Sequence, residues 1–88
     1  MKYIVDGTLY DVGKSERICI MDNESCLYRT EKGNWFIYHI GCKRPVEPID
    51  KKRAMDIVEY QCSAERYIEV FGEVEEARCD GRYRSIKL

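Results

Sequence analysis

Residues 25–40 read SCLYRTEKGNWFIYHI, two apolar and aromatic runs on either side of a short polar stretch. Such runs are typical of strands, and a glycine between them can supply the positive φ angle of a tight turn. The segment therefore predicts a β-hairpin. If Lys32 and Gly33 form a two-residue loop, Cys26 faces His39, whereas a three-residue loop with a bulge shifts the pairing by one residue. The alternation of side chains fits both registers.

The residues before this hairpin predict more antiparallel strands. Asp6 and Gly7 form a strong two-residue turn signal between the strand-forming runs 3–5 and 8–10. Residues 17–21, RICIM, are rich in isoleucine and predict a further strand. The first half of the chain is therefore expected to be mainly β-structure.

The residues after the hairpin predict a break and then a helix. Gly41, Pro45 and Pro48 disfavour regular structure, so we expect an irregular connection there. Asp50 is a good N-cap residue for a helix over residues 51–61, where apolar positions recur at a spacing of three to four.

A second, shorter helix follows, with Ser63 as its N-cap and Gly72 at its C-terminal end. Its apolar stripe is expected to face the sheet, and Glu65 and Glu69 lie on the opposite face. We expect one core shared by the hairpin and both helices. Its predicted members are Tyr28 or Leu27, Phe36, Ile57, Val58, Tyr67, Ile68 and Phe71.

Strands first and helices last indicate an α+β fold. We predict a small antiparallel sheet of about three to five strands, with two C-terminal helices packed on one of its faces. Residues 1–88 are expected to form a single domain, with residues 1–42 mainly β and residues 50–72 holding the helices. Residues 77–88 form a basic tail or an edge strand.

Composition points to a soluble protein. The chain has 88 residues, of which 44% are hydrophobic and 35% charged, as in an ordinary folded domain. No apolar run approaches the roughly 18 residues needed to span a membrane, and the start of the chain has no signal-peptide pattern. Five cysteines, an odd number, argue against a disulfide framework. We therefore expect a cytoplasmic protein with reduced cysteines.

The charges are strongly segregated along the chain. Residues 43–53 carry five basic and two acidic side chains, for a net charge of +3. Residues 54–76 carry Arg66 against seven carboxylates, for −6. Residues 77–88 carry four basic side chains and one acidic, for +3. Such blocks either form a surface for a charged partner or lie close together in the fold and neutralise one another.

The acidic block is the best candidate for a partner surface, because carboxylates can occupy a groove that is lined by lysine and arginine. Two hairpin aromatics, Trp35 and Tyr38, are candidates for the same role. The acidic candidates are Glu65, Glu69, Glu73, Glu75 and Glu76. The alternative is a solvated helix face that pairs with the arginines of the tail, namely Arg78, Arg82 and Arg84.

A zinc site is the alternative chemistry. His39 and Cys42 form an H-x-x-C pair, and Cys26 and Cys19 could complete a set of four ligands. The domain would then be a small zinc-stabilised module that binds nucleic acid or serves as an accessory protein. The basic residues that would contact phosphates are Lys43, Arg44, Lys51, Lys52 and Arg53. The other interpretation is a strand histidine near unrelated cysteines, without any cofactor.

Catalysis is not expected. His39 is the only imidazole, and no carboxylate close to it in sequence is suited to orient it. No glycine-rich phosphate loop is present either. We therefore predict a protein that is not an enzyme.

Three stretches give the chain a family resemblance: residues 4–16, IVDGTLYDVGKSE; residues 27–38, LYRTEKGNWFIY; and residues 44–77, which end in FGEVEEA. They resemble a family of small uncharacterised proteins carried by phages and integrative elements of Gram-positive bacteria. Val12 stands where the family pattern has threonine.

The resemblance implies a setting rather than a reaction, because such proteins often bind and block host machinery. We therefore expect a phage-type inhibitor of a host protein, such as an anti-CRISPR protein that acts on a nucleic-acid enzyme. Direct binding of nucleic acid is the less favoured alternative, and binding of a membrane is not expected.

Overall fold

The computed structural model describes residues 1–75, so Glu76 and the predicted tail at residues 77–88 lie outside the described residues. Strands β1 (Lys2–Val5) and β2 (Thr8–Asp11) form one sheet. The second sheet consists, in spatial order, of β3 (Glu16–Asp22), β4 (Ser25–Arg29), β5 (Trp35–His39) and β6 (Val46–Ile49). Helices α1 (Lys51–Gln61) and α2 (Ala64–Phe71) follow. All pairings are antiparallel, which confirms the α+β fold.

The first hairpin forms where its turn signal predicted. Asp6 and Gly7 have φ angles of 51° and 78°, as in the two-residue turn whose twist matches that of paired strands. A 3-10 helix at Val12–Lys14 then leads the chain into the larger sheet.

Two loop lengths were predicted for the central hairpin, and the structure has the three-residue loop. The amide of Thr30 donates to the carbonyl of Asn34 over 2.8 Å, and Gly33 has a φ angle of 90°. Ser25 therefore faces His39 and Cys26 faces Tyr38. The register of a two-residue loop, with Cys26 opposite His39, is wrong because the left-handed glycine closes a longer turn.

Strand β6 corrects the prediction of an irregular stretch up to Pro48. Val46–Ile49 pair with β5, and Pro48 lies opposite Phe36. Because β6 is the outermost strand of its sheet, a proline is tolerated there: its missing N–H group can face solvent. Regular structure thus resumes at Val46.

Both helices begin at their predicted caps. The Asp50 carboxylate accepts a hydrogen bond from the amide of Arg53 over 2.9 Å, and the Ser63 hydroxyl accepts one from the amide of Arg66 over 3.2 Å. Gly72 ends α2 with a φ angle of 98°. Neither helix is long and apolar enough to cross a membrane.

The larger sheet is covered on both faces, and this corrects the prediction of one shared core. Helices pack on one face and the first hairpin on the other. The helix-side cluster is built on Ile18, Cys19, Leu27, Trp35, Ile37, Ala54 and Val58, with Ile57, Tyr67 and Phe71 packed against it. The hairpin-side cluster is built on Tyr10, Val12, Phe36 and Val46, with Tyr28 packed against it. Phe36 therefore lies on the face opposite Phe71, and Ile68 belongs to neither cluster.

Candidate functional site

The helical layer carries a dense set of exposed carboxylates. They lie on α1, on α2 and on the residues that follow α2. We call them the acidic surface: Asp56, Glu59, Glu65, Glu69, Glu73 and Glu75. Within residues 54–75 these six carboxylates are accompanied by a single basic side chain, which gives a net charge of −5. Glu76, the remaining predicted member, is outside the described residues.

The amphipathic pattern of α2 explains why its carboxylates face solvent. Tyr67, Val70 and Phe71 pack against the helix-side cluster. Phe71 stacks on the Trp35 ring with 5.2 Å between the ring centroids. The opposite side of the helix therefore presents Glu65 to solvent, with Glu69 one turn further along.

Arg66, the one basic side chain of this region, is directed largely into the protein. Its Nε and one terminal nitrogen donate to the carbonyl of Ile18 over 3.2 and 3.0 Å. The other terminal nitrogen pairs with Glu69 over 2.7 Å. Arg66 thus joins α2 to strand β3 and pairs with one carboxylate of the acidic surface.

A cleft of about 370 Å³ opens between α1, α2 and the residues after α2. Its lining is mostly apolar, and Glu59 is the one member of the acidic surface that lines it. The lining residues are Glu59, Cys62, Ser63, Ala64, Tyr67 and Val74. Tyr60, which follows Glu59 on α1, is 87% exposed and lines a separate, smaller cleft of about 210 Å³. Tyrosine is enriched among the residues that contribute most to binding at protein interfaces.

The two hairpin aromatics predicted as partner residues are placed differently from the carboxylates. Trp35 is 6% exposed and packs between Phe71 and the guanidinium of Arg29, so it offers almost no surface to a partner. Tyr38 is half-buried on the other face of the sheet, where its hydroxyl donates to the Met1 sulfur over 3.5 Å. The neighbouring Tyr3 hydroxyl and burial raise the pKa of Tyr38.

The four residues predicted as zinc ligands are not brought together. Cys26 pairs with Tyr38 and so lies on the sheet face opposite His39. Burial and a hydrogen bond with Cys62 raise the pKa of Cys19 to about 12, which disfavours the thiolate that binds zinc. Cys42 is exposed. Within residues 1–75, no three His, Cys, Asp or Glu side chains are grouped so that they could hold a metal ion.

His39 instead takes part in a chain of polar contacts. Its Nε2 lies 2.8 Å from a carboxylate oxygen of Glu47, and its Nδ1 lies 3.2 Å from the Ser25 hydroxyl. A neutral ring that donates to Glu47 accepts at Nδ1, so the Ser25 hydroxyl donates to it. Serine, histidine and a carboxylate follow one another as in a serine-hydrolase relay, but the two ring nitrogens are exchanged, because in that relay the serine contacts Nε2 and the carboxylate Nδ1. The sequence did not indicate it, because the register of β4, β5 and β6 assembles these side chains.

These contacts lie within the packed end of the sheet. Ser25 is only 9% exposed, and its hydroxyl lies 3.2 Å from the His39 ring. The nearby amide of Ile40 is occupied, since it donates to the carbonyl of Glu24 over 2.8 Å. The contacts therefore tie β4, β5 and β6 together at this end of the sheet.

Comparisons with known proteins assign no family to the chain. No family model matches it, and no curated protein or solved structure is significantly similar to it. The resemblance to small phage and integrative-element proteins therefore stays a prediction. The function has to be argued from the surface itself.

Proposed function

We propose that the protein is a non-enzymatic mobile-element protein, of the kind phages carry, that inhibits a host protein by direct contact in the bacterial cytoplasm. Its target is a protein with a basic groove, and a nucleic-acid enzyme such as a CRISPR nuclease fits this description. The observation that carries the proposal is the acidic surface, with six exposed carboxylates and one inward-directed arginine over residues 54–75.

Electrostatics explains why such a surface suits a nucleic-acid enzyme. The groove of that enzyme is lined by lysine and arginine, which bind phosphates and release counterions. A rigid set of carboxylates presents the same sign of charge to the groove and steers association from a distance. Bound there, the protein excludes the nucleic acid, and no chemical step is needed.

The helical layer supports this role through its rigidity. α1 and α2 are capped at their N-termini and packed on the sheet, so the backbone positions that carry Glu65 and Glu69 are fixed before binding. A preorganised surface loses less conformational entropy on association than a disordered acidic segment would.

Direct nucleic-acid binding, the alternative function, gains no support from the hairpin aromatics. Base stacking needs accessible rings, whereas Trp35 lies in the helix-side cluster and Tyr28 packs in the hairpin-side cluster, stacked on Phe36 at 5.3 Å. Lys43 and Arg44 are exposed and line a cleft together with Tyr3, but the Tyr3 ring is half-buried and packs 6.2 Å from the Tyr38 ring.

Charge reversal tests the proposal against a purified CRISPR nuclease with its guide RNA. The variant Glu65→Lys/Glu75→Lys is compared with Glu24→Lys/Glu31→Lys, which makes the same charge change in two exposed loops of the sheet. We expect the wild-type protein to block DNA cleavage, and the first variant to associate about tenfold more slowly. The loop variant should behave like wild type.

The salt dependence completes this test. Inhibition should weaken as salt rises from low to physiological concentration, because the screening length falls to about 8 Å. Equal inhibition by both variants, or inhibition that salt does not change, would show that the acidic surface is not the contact.

A further inference from the structure

We infer that the cleft bordered by Glu59 and Tyr67 receives an arginine side chain of the partner. The inference rests on the proposed function and names one contact of the partner, at the cleft that Glu59 of the acidic surface lines. It follows from the shape of the cleft, the chemistry of its walls and the charge around it.

The walls of the cleft suit a long side chain that is apolar along its length. Ala64, Val74 and the ring of Tyr67 supply most of the lining, and the volume of about 370 Å³ is at the small end of ligand sites. Val74 is 55% exposed, so this apolar surface is open to a partner. A partner side chain with a methylene stem would cover this apolar surface and so remove it from water.

Because Glu59 lines the cleft, we expect the partner side chain that enters it to carry a positive charge at the end of its stem. Glu59 lines the cleft directly, and Glu73 and Glu75 flank Val74 in the chain. A neutral side chain would desolvate Glu59 without replacing its contacts with water, which costs free energy. A cation would instead form a charge-assisted hydrogen bond with this carboxylate.

Arginine fits these conditions better than lysine. Its planar guanidinium stacks on aromatic rings and forms two parallel hydrogen bonds with one carboxylate, and it is more weakly hydrated than an ammonium group. Tyr67 supplies a ring and Glu59 a carboxylate in one cleft. Both groups can therefore contact a single guanidinium.

Labelled peptides test the inference without knowledge of the natural partner. The probes are a fluorescein-labelled peptide of six arginines alternating with glycine and a matched lysine peptide, titrated into the full chain. We expect saturable binding of the arginine peptide and about five- to tenfold weaker binding of the lysine peptide. Amide chemical-shift changes should centre on Cys62, Ala64 and Tyr67.

Two variants, each with a control, distinguish binding in the cleft from general electrostatic attraction to the acidic surface. Glu59→Gln should weaken binding of the arginine peptide about tenfold, whereas Glu65→Gln, with the same charge change outside the cleft lining, should weaken it by less than about threefold. Ala64→Phe fills the cleft and should also reduce binding about tenfold. Gln61→Phe adds the same ring outside this cleft as its control.

The outcomes distinguish the assignment of the cleft from the proposed function. If Glu59→Gln and Glu65→Gln weaken binding equally, or if the two peptides bind alike, the cleft assignment is overturned while the acidic surface stands. If neither carboxylate nor salt affects binding of the peptide or inhibition of the nuclease, the proposed function fails as well. If Ala64→Phe does not fold, the glutamine variants and the lysine peptide still decide.

Discussion

At the scale of single residues, Phe71 connects the acidic helix to the sheet. Its ring lies 5.2 Å from the Trp35 ring and 5.0 Å from that of Tyr67. Phe71→Ala should lower the free energy of unfolding by about 2–4 kcal/mol, because a half-buried ring and its stacking partners are lost. Chemical denaturation measures this change.

Trp35 is the only tryptophan, so its fluorescence reports the same contact. We expect a red-shifted emission in folded Phe71→Ala, because water reaches the indole. Val74→Ala, an exposed position nearby, serves as the control and should leave both stability and emission almost unchanged. An unaltered unfolding free energy for Phe71→Ala would contradict the packing of α2 on the sheet.

Two cysteines should differ strongly in reactivity. Burial raises the pKa of Cys19 to about 12, from a reference value of 9.0, so its thiol stays protonated at pH 8. Cys42 is exposed. Iodoacetamide at pH 8 should therefore alkylate Cys42 at least about tenfold faster than Cys19, as read by mass spectrometry of digested protein. Equal rates in the folded protein would contradict the burial of Cys19.

At the scale of elements, the central hairpin depends on one left-handed glycine. Gly33 has a φ angle of 90°, in the region that favours glycine, although a Cβ there would meet no other atom. Gly33→Ala should therefore cost about 1 kcal/mol through backbone strain alone. Gly13→Ala is the control, since the φ angle of Gly13 is not in that region and its Cβ would make an ordinary contact. Thermal unfolding of the two variants should separate them; equal destabilisation would contradict the turn geometry.

Local signals in the sequence predicted the elements well. Asp50 and Ser63 begin the two helices, and Asp6 with Gly7 closes the first hairpin, because caps and tight turns are decided by a few adjacent residues. Pro48 misled the prediction of β6. Its effect depends on whether its strand lies at the edge of a sheet, which is a property of the fold and not of the local sequence.

At the scale of the whole molecule, the relation between layers could not be predicted. A shift of one residue in the central hairpin exchanges the faces of a strand, so the alternating pattern alone did not show that Phe36 and Phe71 lie on opposite sides. The same long-range pairing brings Glu47 to His39. The acidic residues of α2 were predictable, since they follow from helix periodicity. The cleft lined by Glu59 and Tyr67 was not, because two helices and the residues after them form it.

Photo-crosslinking shows whether a partner binds at the acidic surface. A benzoylphenylalanine is placed at Tyr60, which is 87% exposed on α1 next to Glu59 in the chain, or at Ile4, which is 74% exposed on the N-terminal hairpin. Each protein is irradiated in a lysate of a Gram-positive host, with and without excess DNA.

If the partner binds at the acidic surface, we expect a crosslink from position 60 to a nucleic-acid-binding protein. This adduct should disappear with added DNA and in the Glu65→Lys/Glu75→Lys background, and position 4 should give none. A crosslink that forms at Ile4 and not at Tyr60, or one that persists through DNA competition and charge reversal, would contradict binding at the acidic surface.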